Sequence, residues 1–347
     1  MPIEGALLRL RKLGINKQAN VILGAGASRG ASCFEDTWAQ SPLDADFFDQ
    51  IDRLKNTSDG KELRKLVEFA RDEFGVAERL QMEPFFTQLE SLNEFHGSLK
   101  VDPGPRVRQY QQHLDNFSSY LAATFRSLRS ICSSPGIECN HHKVLASSLR
   151  SGDSILSYNY DCIIDAALCS EGGKSWNARY GYGAEVGGGR EAWHDHSGRG
   201  RIAKESIQLL KVHGSLNWKR RSDGGVDLRR DPYEDDHRSR NEVIPPVWNK
   251  RIAEDPVLGE VWKKARNSLR TGPVLVVVGY SVPDTDLLSQ ALLRVASAEG
   301  GKTLSHVLIV NPDQFARRKL MSVLNEALTT KTTVIELTSW PELVGLL

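Results

Sequence analysis

The sequence predicts an α/β fold, a doubly wound parallel sheet with a helical module inserted after its first strand. One short apolar run lies near the start of the chain, five more follow residue 150, and several are apolar at every position. Such runs are typical of strands buried on both faces of a parallel sheet. Helical spacing of apolar residues lies between the later runs and also fills the long segment between the first two.

With 347 residues, 40% apolar and 26% charged, the chain has a globular composition, and its length favours about two domains. Its 45 basic and 44 acidic residues nearly balance, which gives no support for a nucleic-acid-binding surface over the whole chain. The sequence has no run of about 18 apolar residues, so no membrane span is expected. The first residues lack the apolar stretch of a signal peptide. Five cysteines without a CxxC pair favour a reduced, cytoplasmic protein without structural zinc.

The first strand ends at Leu23 and runs directly into the small residues Gly24-Ala25-Gly26-Ala27-Ser28. Without bulky side chains, the backbone N–H groups of such a turn can point at a phosphate. The spacing of Gly24, Gly26 and Gly30 departs from the GxGxxG dinucleotide fingerprint, and no acidic residue ends a second strand about 20 residues later. A tight turn without a ligand is therefore the alternative interpretation.

Residues 45–150 are predicted to be almost entirely helical. Within them, the segment 61–74 repeats its apolar residues at helical spacing, with charged residues between them. We therefore expect residues 1–44 and 143–347 to form one discontinuous α/β domain, and residues 45–142 to form an inserted helical domain.

After residue 150 the pattern changes to short apolar runs that alternate with helical segments. The stretches 171–202 and 222–248 contain glycine-rich or mixed-charge sequences, and they are expected to be long loops or small excursions. Strands are expected at 154–158, 207–213, 273–281, 305–312 and 332–337, with helices near 284–298 and 313–327.

Polar or small residues follow these predicted strands at the point where each strand ends. The carboxyl ends of the strands in a doubly wound sheet line one crevice, and ligands bind there. We therefore expect the polar residues at the strand ends to form a ligand site. They are Asn159, Asp161, His213, Ser281 and Asn311.

Five short motifs, in this order along the chain, resemble those of the sirtuins, the SIR2 family. The resemblance covers roughly residues 20–35 and 150–340. It is strongest to the bacterial SIR2-like domains of anti-phage defence systems, which typically carry a helical insertion in the corresponding place. It implies a Rossmann-like, sirtuin-type fold that binds NAD. The motifs are Gly24–Ser28, Asn159-x-Asp161, His213-Gly214, Gly279-Tyr280-Ser281 and Asn311.

The resemblance implies that three residues carry the chemistry. Asn159 would hold the nicotinamide ribose hydroxyls and help to position a water, Asp161 would lie near the nicotinamide amide, and His213 would be the catalytic histidine. Histidine suits proton transfer because its ordinary pKa of about 6.5 lies near neutral pH. Simpler roles remain open: His213 can be an ordinary strand-end residue, and Asn159 or Asp161 can cap the next helix.

The same resemblance assigns NAD binding to two turns and to the end of one later strand. The glycine turn would cradle the pyrophosphate, while Ser281 and Asn311 would contact the adenosine half of NAD. The implied NAD-binding residues are Gly24, Ala25, Gly26, Ser28, Gly279, Ser281 and Asn311.

Departures from the sirtuin pattern bear on the reaction. Tyr158 stands where sirtuins usually have glutamine, Glu35 follows Phe34 where they usually have arginine, and both zinc-binding CxxC pairs are missing. Because those pairs support the acyl-peptide groove of deacylating sirtuins, water is the expected acceptor. The expected activity is that of an NAD⁺ glycohydrolase that releases nicotinamide and ADP-ribose, with a cyclised product left open. The alternatives are an NAD-dependent protein deacylase and a non-catalytic scaffold that binds NAD or ADP-ribose.

No metal site is expected. His194 and His196 flank Asp195 as an HxH pair, which is one pattern of metal ligands. The pair lies in a glycine-rich stretch without a further ligand at suitable spacing, so a solvated loop is the expectation.

An active NADase would be toxic to its host, so restraint is expected from outside the chain. The resemblance implies the toxic effector of a bacterial anti-phage abortive-infection system, controlled by assembly or by a separately encoded partner. A HerA-type ATPase is favoured as that partner, with an Argonaute-like protein as the other choice. We expect a homo-oligomer in which the inserted helices supply contact surface, and a lid over the NAD crevice is the alternative use of those helices.

Overall fold

The centre of the fold is a six-stranded parallel sheet built from both ends of the chain. The computed structural model describes residues 18–75, 80–99, 104–132, 137–172, 175–193, 206–234, 241–245, 252, 255–298 and 304–347. The expectation about an N-terminal signal concerns residues 1–17, which lie outside these ranges. The strands are β1 (Ala19–Leu23), β2 (Ser154–Ser157), β3 (Gln208–Lys211), β7 (Val274–Val278), β8 (His306–Val310) and β9 (Thr333–Leu337).

The strands lie in the order β3-β2-β1-β7-β8-β9, so the direction of winding reverses between β1 and β7. The chain passes outward from β1 to β2 and β3, and it then returns to place β7 on the other side of β1. Both central strands are buried along their whole length, as the apolar runs predict. The predicted doubly wound, Rossmann-like fold is confirmed, and its crevice is expected at this reversal.

Helices connect the strands and fall into two packed groups. They are α7 (Asn140–Ser148), α8 (Ile163–Glu171), α9 (Pro256–Thr271), α10 (Leu287–Ala298), α11 (Gln314–Val323) and α12 (Trp340–Val344). In one group α7 contacts both α8 and α12, and in the other α10 contacts both α9 and α11. Among the residues described, no helix combines the length and apolarity that crossing a bilayer requires.

Between β1 and β2 the described residues form helices and no strand, as the sequence predicts. The helical pattern that begins at Pro105 is divided at Asn116 into two helices. The helices are α1 (Ala25–Arg29), α2 (Phe47–Leu54), α3 (Lys61–Phe74), α4 (Met82–Ser98), α5 (Pro105–Asp115) and α6 (Phe117–Ile131). We call α2 to α6 the helical block.

The helical block and the sheet share one hydrophobic core. Phe86 of α4 packs edge-on against Phe117 of α6, and Phe117 packs edge-on against Tyr160, which follows β2. One cluster of buried side chains includes residues of both the block and the sheet. The predicted division into domains at residues 44/45 and 142/143 stays a prediction.

A second, small antiparallel sheet was not predicted. It consists of β4 (Gly214–Arg220) between β5 (Val226–Leu228) and β6 (Asn241–Val243). The last two strands fall inside the stretch 222–248, so this stretch is a small excursion with paired strands rather than only a long loop. Each has three residues, which is too short for an alternating pattern to be recognised, and pairing with β4 stabilises them.

Candidate functional site

Five strand ends lie level at one edge of the parallel sheet. Leu23 at the end of β1 pairs with Ser157 of β2 and with Val278 of β7. Ser157 pairs in turn with Lys211 of β3, and Val278 pairs with Val310 of β8. Each of these residues is the last of its strand, so the residues that follow lie at the same edge. The structure therefore places there all five predicted polar residues, Asn159, Asp161, His213, Ser281 and Asn311.

The glycines after β1 allow a close approach to the turn after β7. A Cβ atom on Gly24 would lie 2.5 Å from Tyr280 Cα, and one on Gly26 would lie 2.8 Å from Gly279 Cα. The N–H of Gly24 donates to the Val278 carbonyl at 3.0 Å, and the N–H of Gly26 donates to the Gly279 carbonyl at 2.9 Å. These two N–H groups are therefore paired with protein carbonyls, and the expectation that glycine N–H groups point at a phosphate does not hold for them.

Ser28 joins the glycine turn to the end of β2. Its hydroxyl donates to Asp161 Oδ2 at 2.6 Å and accepts a hydrogen bond from Asn159 Nδ2 at 2.8 Å, and all three residues are buried. Asn159 Oδ1 is also buried, and it has no hydrogen-bond partner among the described residues. An unpaired buried acceptor costs about 1–3 kcal/mol, so a donor such as a water or a ligand hydroxyl would stabilise this oxygen.

Asp161 is held by two further contacts. Its Oδ1 accepts from the N–H of Ile163, the first residue of α8, at 3.0 Å, while Cys162 occupies the N-cap position, and Oδ2 is left for Ser28. Its carbonyl accepts from Lys211 Nζ, and that ammonium lies 3.4 Å from Asp165 Oδ2. Burial opposes the charge of Lys211, but the neighbouring Asp165 carboxylate holds its pKa above the ordinary value. A buried ion pair therefore fixes the backbone at Asp161.

His213 forms a buried pair with an acidic residue that the sequence analysis did not identify. Its Nε2 lies 3.4 Å from Asp286 Oδ2, and the two residues are 8% and 3% exposed. The rings of Tyr158 and Tyr160 lie 5.3 and 6.0 Å from the imidazole, measured between centroids. A carboxylate in this position orients the imidazole and favours its charged form, which suits a residue that transfers protons.

Tyrosines enclose the pair. Tyr158 and Tyr280 stack with their centroids 4.4 Å apart and their planes at 16°. Burial, followed by the charge of nearby Asp286, raises the pKa of Tyr158, and burial also raises that of Tyr280. Both phenols therefore stay neutral at neutral pH. Tyr158, which stands where sirtuins usually have glutamine, forms part of the wall around His213.

The later motif residues serve the turn after β7. Gly279 has φ of 61°, and a Cβ atom there would lie 2.2 Å from Ala27 N. Asn311 Nδ2 donates to the Tyr280 carbonyl at 3.3 Å, so this side chain holds the turn in place. Ser281 is exposed, as is Ala25 at the start of α1. The NAD contacts expected of these residues stay predictions.

Two acidic residues at this edge carry different sequence signals. Asp286 follows the Gly279-Tyr280-Ser281 motif and precedes a helical pattern, so the sequence marks it only as a helix cap. Glu83 comes from α4, is 5% exposed, and accepts a hydrogen bond from the Thr285 hydroxyl. It lies 202 positions from Thr285 along the chain, so no local pattern could have placed it here.

The helical block covers the edge at which these residues meet. Glu83 contacts the loop before α10, and Phe117 packs on Tyr160 with 5.4 Å between ring centroids. Asn159 and His213, at the same edge, are 7% and 8% exposed. An open cavity of about 660 Å³ lies away from this edge, between α3, α5 and α6, and its lining includes Glu62, Lys65, Phe69, Arg106 and His113.

Among the described residues, no group of three or more His, Cys, Asp or Glu side chains has the arrangement of a metal site. All five cysteines are free thiols. The pair His194 and His196 lies outside the described residues. The expectation that the protein binds no zinc stays a prediction.

A comparison of the sequence with known protein families matches a large part of the chain. The family model described as the SIR2-like domain matches residues 153–330. No curated protein matches. A structure solved to explain the mechanism and regulation of Sir2 enzymes is 14% identical, covering 99% of this chain and 95% of that one with a TM-score of 0.42. A Sir2 homologue in complex with NAD is 12% identical, covering 97% and 91%, with a TM-score of 0.43.

Proposed function

The chain belongs to the SIR2-like domain family, and we propose that it is an NAD⁺ hydrolase that releases nicotinamide and ADP-ribose. The observation that carries the proposal is Asn159 Oδ1, a buried acceptor without a partner among the described residues. This oxygen and His213 follow neighbouring strands, at the edge where a doubly wound sheet binds ligands. A ribose hydroxyl or a water is the kind of donor that this oxygen lacks.

The proposed reaction needs few catalytic groups from the protein. Cleavage of the nicotinamide–ribose bond passes through a sugar of oxocarbenium character, as in glycoside hydrolysis. In the proposal, Asn159 holds a ribose hydroxyl and His213 moves the proton at the ribose. The buried tyrosines around His213 keep bulk water away from that proton transfer.

The glycine turn fits a nucleotide through its shape more than through its glycine N–H groups. Its glycines are paired to the turn after β7, and this pairing fixes the position of Ala25 at the start of α1. Ala25 is exposed, whereas the N–H groups of Gly26 and Ala27 are already paired with the carbonyls of Gly279 and Gly24. The proposed contact of this turn with NAD is therefore a close approach to small residues rather than a set of N–H donors.

Water is the proposed acceptor, because the sequence lacks the CxxC pairs that support an acyl-peptide groove. Protein deacylation would share the same NAD-binding step, so it remains the second candidate. A scaffold that only binds NAD is disfavoured by the pair of His213 and Asp286, since a binder has no use for an oriented imidazole.

The test is to incubate the purified chain with NAD and to quantify nicotinamide, with and without an acetylated peptide. The proposal expects nicotinamide and ADP-ribose at the same rate in both reactions. Release that depends on the peptide would instead establish a deacylase. NAD binding without any nicotinamide release would leave the scaffold function and refute the hydrolase.

The closed edge also suggests how such an activity is restrained. We propose that the helical block acts as a lid, because Glu83 and Phe117 of the block contact Thr285 and Tyr160, the neighbours of Asp286 and Asn159 along the chain. The homo-oligomer stays a proposal, and its contacts must come from faces other than the apolar stripe of α3, whose Leu63, Leu66 and Val67 are fully buried within the chain.

The role in anti-phage defence and control by a HerA-type ATPase, or an Argonaute-like protein, are part of the same proposal and rest on the resemblance to defence proteins.

A further inference from the structure

The carboxylate of Asp286 serves two neighbours at the site. Its Oδ2 lies 3.4 Å from His213 Nε2, and its Oδ1 accepts from the N–H of Ser289 at 3.4 Å, in the first turn of α10. Asp286 is 3% exposed and His213 is 8% exposed. A buried side chain with both oxygens engaged has little freedom to turn, so one oxygen stays directed at the imidazole.

The backbone that leads to Asp286 is held in an unusual conformation. Gly279 has φ of 61°, and Val282, which is fully buried, has φ of 54°. A β-branched residue in this region is strained and persists only where its surroundings hold it. One such restraint is the hydrogen bond from Asn311 Nδ2 to the Tyr280 carbonyl. Local strain of this kind clusters at functional sites.

We propose that Asp286 is the positioning residue of His213. Its carboxylate keeps a proton on Nε2 of the imidazole and stabilises the imidazolium form, so that His213 has one tautomer and one orientation. The catalytic consequence rests on the proposed NAD⁺ hydrolysis, whereas the orientation of the imidazole does not depend on it.

Other titratable groups lie near this pair. Three of them are phenols that burial keeps neutral, and two are carboxylates, of the same sign as Asp286, that act on the Tyr160 phenol. Replacing Asp286 therefore lowers the negative potential around His213 without abolishing it. The groups are Tyr158, Tyr160, Tyr280, Glu83 and Asp44.

The variant Asp286→Asn separates positioning from helix capping. Asparagine caps helices about as well as aspartate, so the start of α10 is kept while the charge facing His213 is removed. Asp286→Ser is a second variant, because serine also caps but is too short to reach the imidazole. The matched control is Asp284→Asn in the same loop, which removes a carboxylate that is 92% exposed and lies 2.6 Å from Lys319 Nζ.

Nuclear magnetic resonance of the ¹⁵N-labelled imidazoles measures the tautomer and the pKa of His213 directly, with the signal assigned by its loss in His213→Ala. The parent chain is expected to carry the proton on Nε2 in its neutral form. The pKa of His213 is expected to fall by about one unit or more in Asp286→Asn and Asp286→Ser, and to stay unchanged in Asp284→Asn. An unchanged tautomer and pKa in Asp286→Asn would overturn the inference, whatever the activity.

Kinetics adds a readout that a purely structural role would not move. In Asp286→Asn, kcat for NAD hydrolysis is expected to fall roughly 10- to 100-fold at nearly constant KM. The acidic limb of the kcat/KM profile should shift to lower pH, because a neutral imidazole is then retained further into acid. A lower melting temperature with unchanged kcat and pH profile would leave only helix capping and would overturn the inference. If the parent chain hydrolyses no NAD, the proposed function fails, while the imidazole titration still decides the role of Asp286.

Discussion

The hydroxyl of Ser28 lies 2.6 Å from Asp161 Oδ2, and this contact joins the glycine turn after the first strand to the end of the second. The same hydroxyl receives a hydrogen bond from Asn159 Nδ2 at 2.8 Å. One small side chain therefore holds two residues that the proposed reaction uses, and the position of Asn159 Oδ1 depends on it.

Ser28→Ala tests this dependence. The substitution leaves Asp161 Oδ2 and Asn159 Nδ2 without this partner in a buried setting, which is expected to cost about 1–3 kcal/mol of unfolding free energy. NAD turnover should fall further than this loss of stability explains, because Asn159 is no longer held. Urea unfolding and an NAD hydrolysis assay measure the two effects. The control is Ser147→Ala, which removes an exposed hydroxyl that donates to the Val144 carbonyl, and it should leave both nearly unchanged. Full turnover in Ser28→Ala would contradict the account.

Gly26→Ala tests the close approach of the two turns. The added Cβ atom would lie 2.8 Å from Gly279 Cα, so one of the turns must shift, at an expected cost of about 1–3 kcal/mol. Gly97→Ala in α4 is the matched control, because nothing lies within 4 Å of its Cβ position. That control should stabilise the chain by about 0.5 kcal/mol through helix propensity. Equal melting temperatures of the two variants would show that the turns do not need to touch.

The sequence allowed the parallel sheet and its edge to be predicted because both depend on local patterns. Buried strands such as β7 appear as continuous apolar runs, and the residue that follows a strand must lie at the edge of the sheet. The placement of Asn159 and His213 at one edge followed from those two rules.

The contacts between distant parts of the chain could not be predicted in this way. Glu83 reaches Thr285 only because the helical block folds over the sheet edge, and Asp286 faces His213 only because of the backbone path through Val282. The glycine turn shows the same limit. Its pattern indicated that something approaches the backbone closely, and the structure identifies a second turn of the same chain.

Thr285→Val tests the lid. It removes the hydroxyl that bonds to Glu83 while keeping the shape of the side chain. A hydrogen bond to a charged group contributes about 1.5–3 kcal/mol, so the first turn of α4 should open about 10- to 100-fold more often. Hydrogen exchange of that turn measures the opening, and NAD turnover should not decrease. Thr338→Val removes the same kind of bond, to Glu342, at an exposed position, and it should leave the exchange of α4 unchanged. Unchanged protection of α4 in Thr285→Val would show that the hydrogen bond between Thr285 and Glu83 does not hold the lid closed.

His113 gives the helical block a pH dependence. Burial lowers its pKa to about 4, its ring stacks on Phe69, and its Nδ1 lies 2.7 Å from the Tyr120 hydroxyl. The unfolded chain therefore binds the proton more readily between about pH 6.5 and pH 4, so stability is complete above this window and is lost as pH falls through it. The parent chain should lose about 2 kcal/mol more than His113→Gln between pH 7 and pH 4.5. Urea unfolding at both pH values measures this difference, and equal losses would refute the assignment.

The most direct test of the central claim is the rate of nicotinamide release from NAD by the purified chain, compared with its His213→Ala and Asn159→Ala variants. The account predicts release by the parent chain, and a loss of at least about 100-fold in each variant while circular dichroism remains that of the folded protein. Undiminished release by either folded variant would contradict the assigned site.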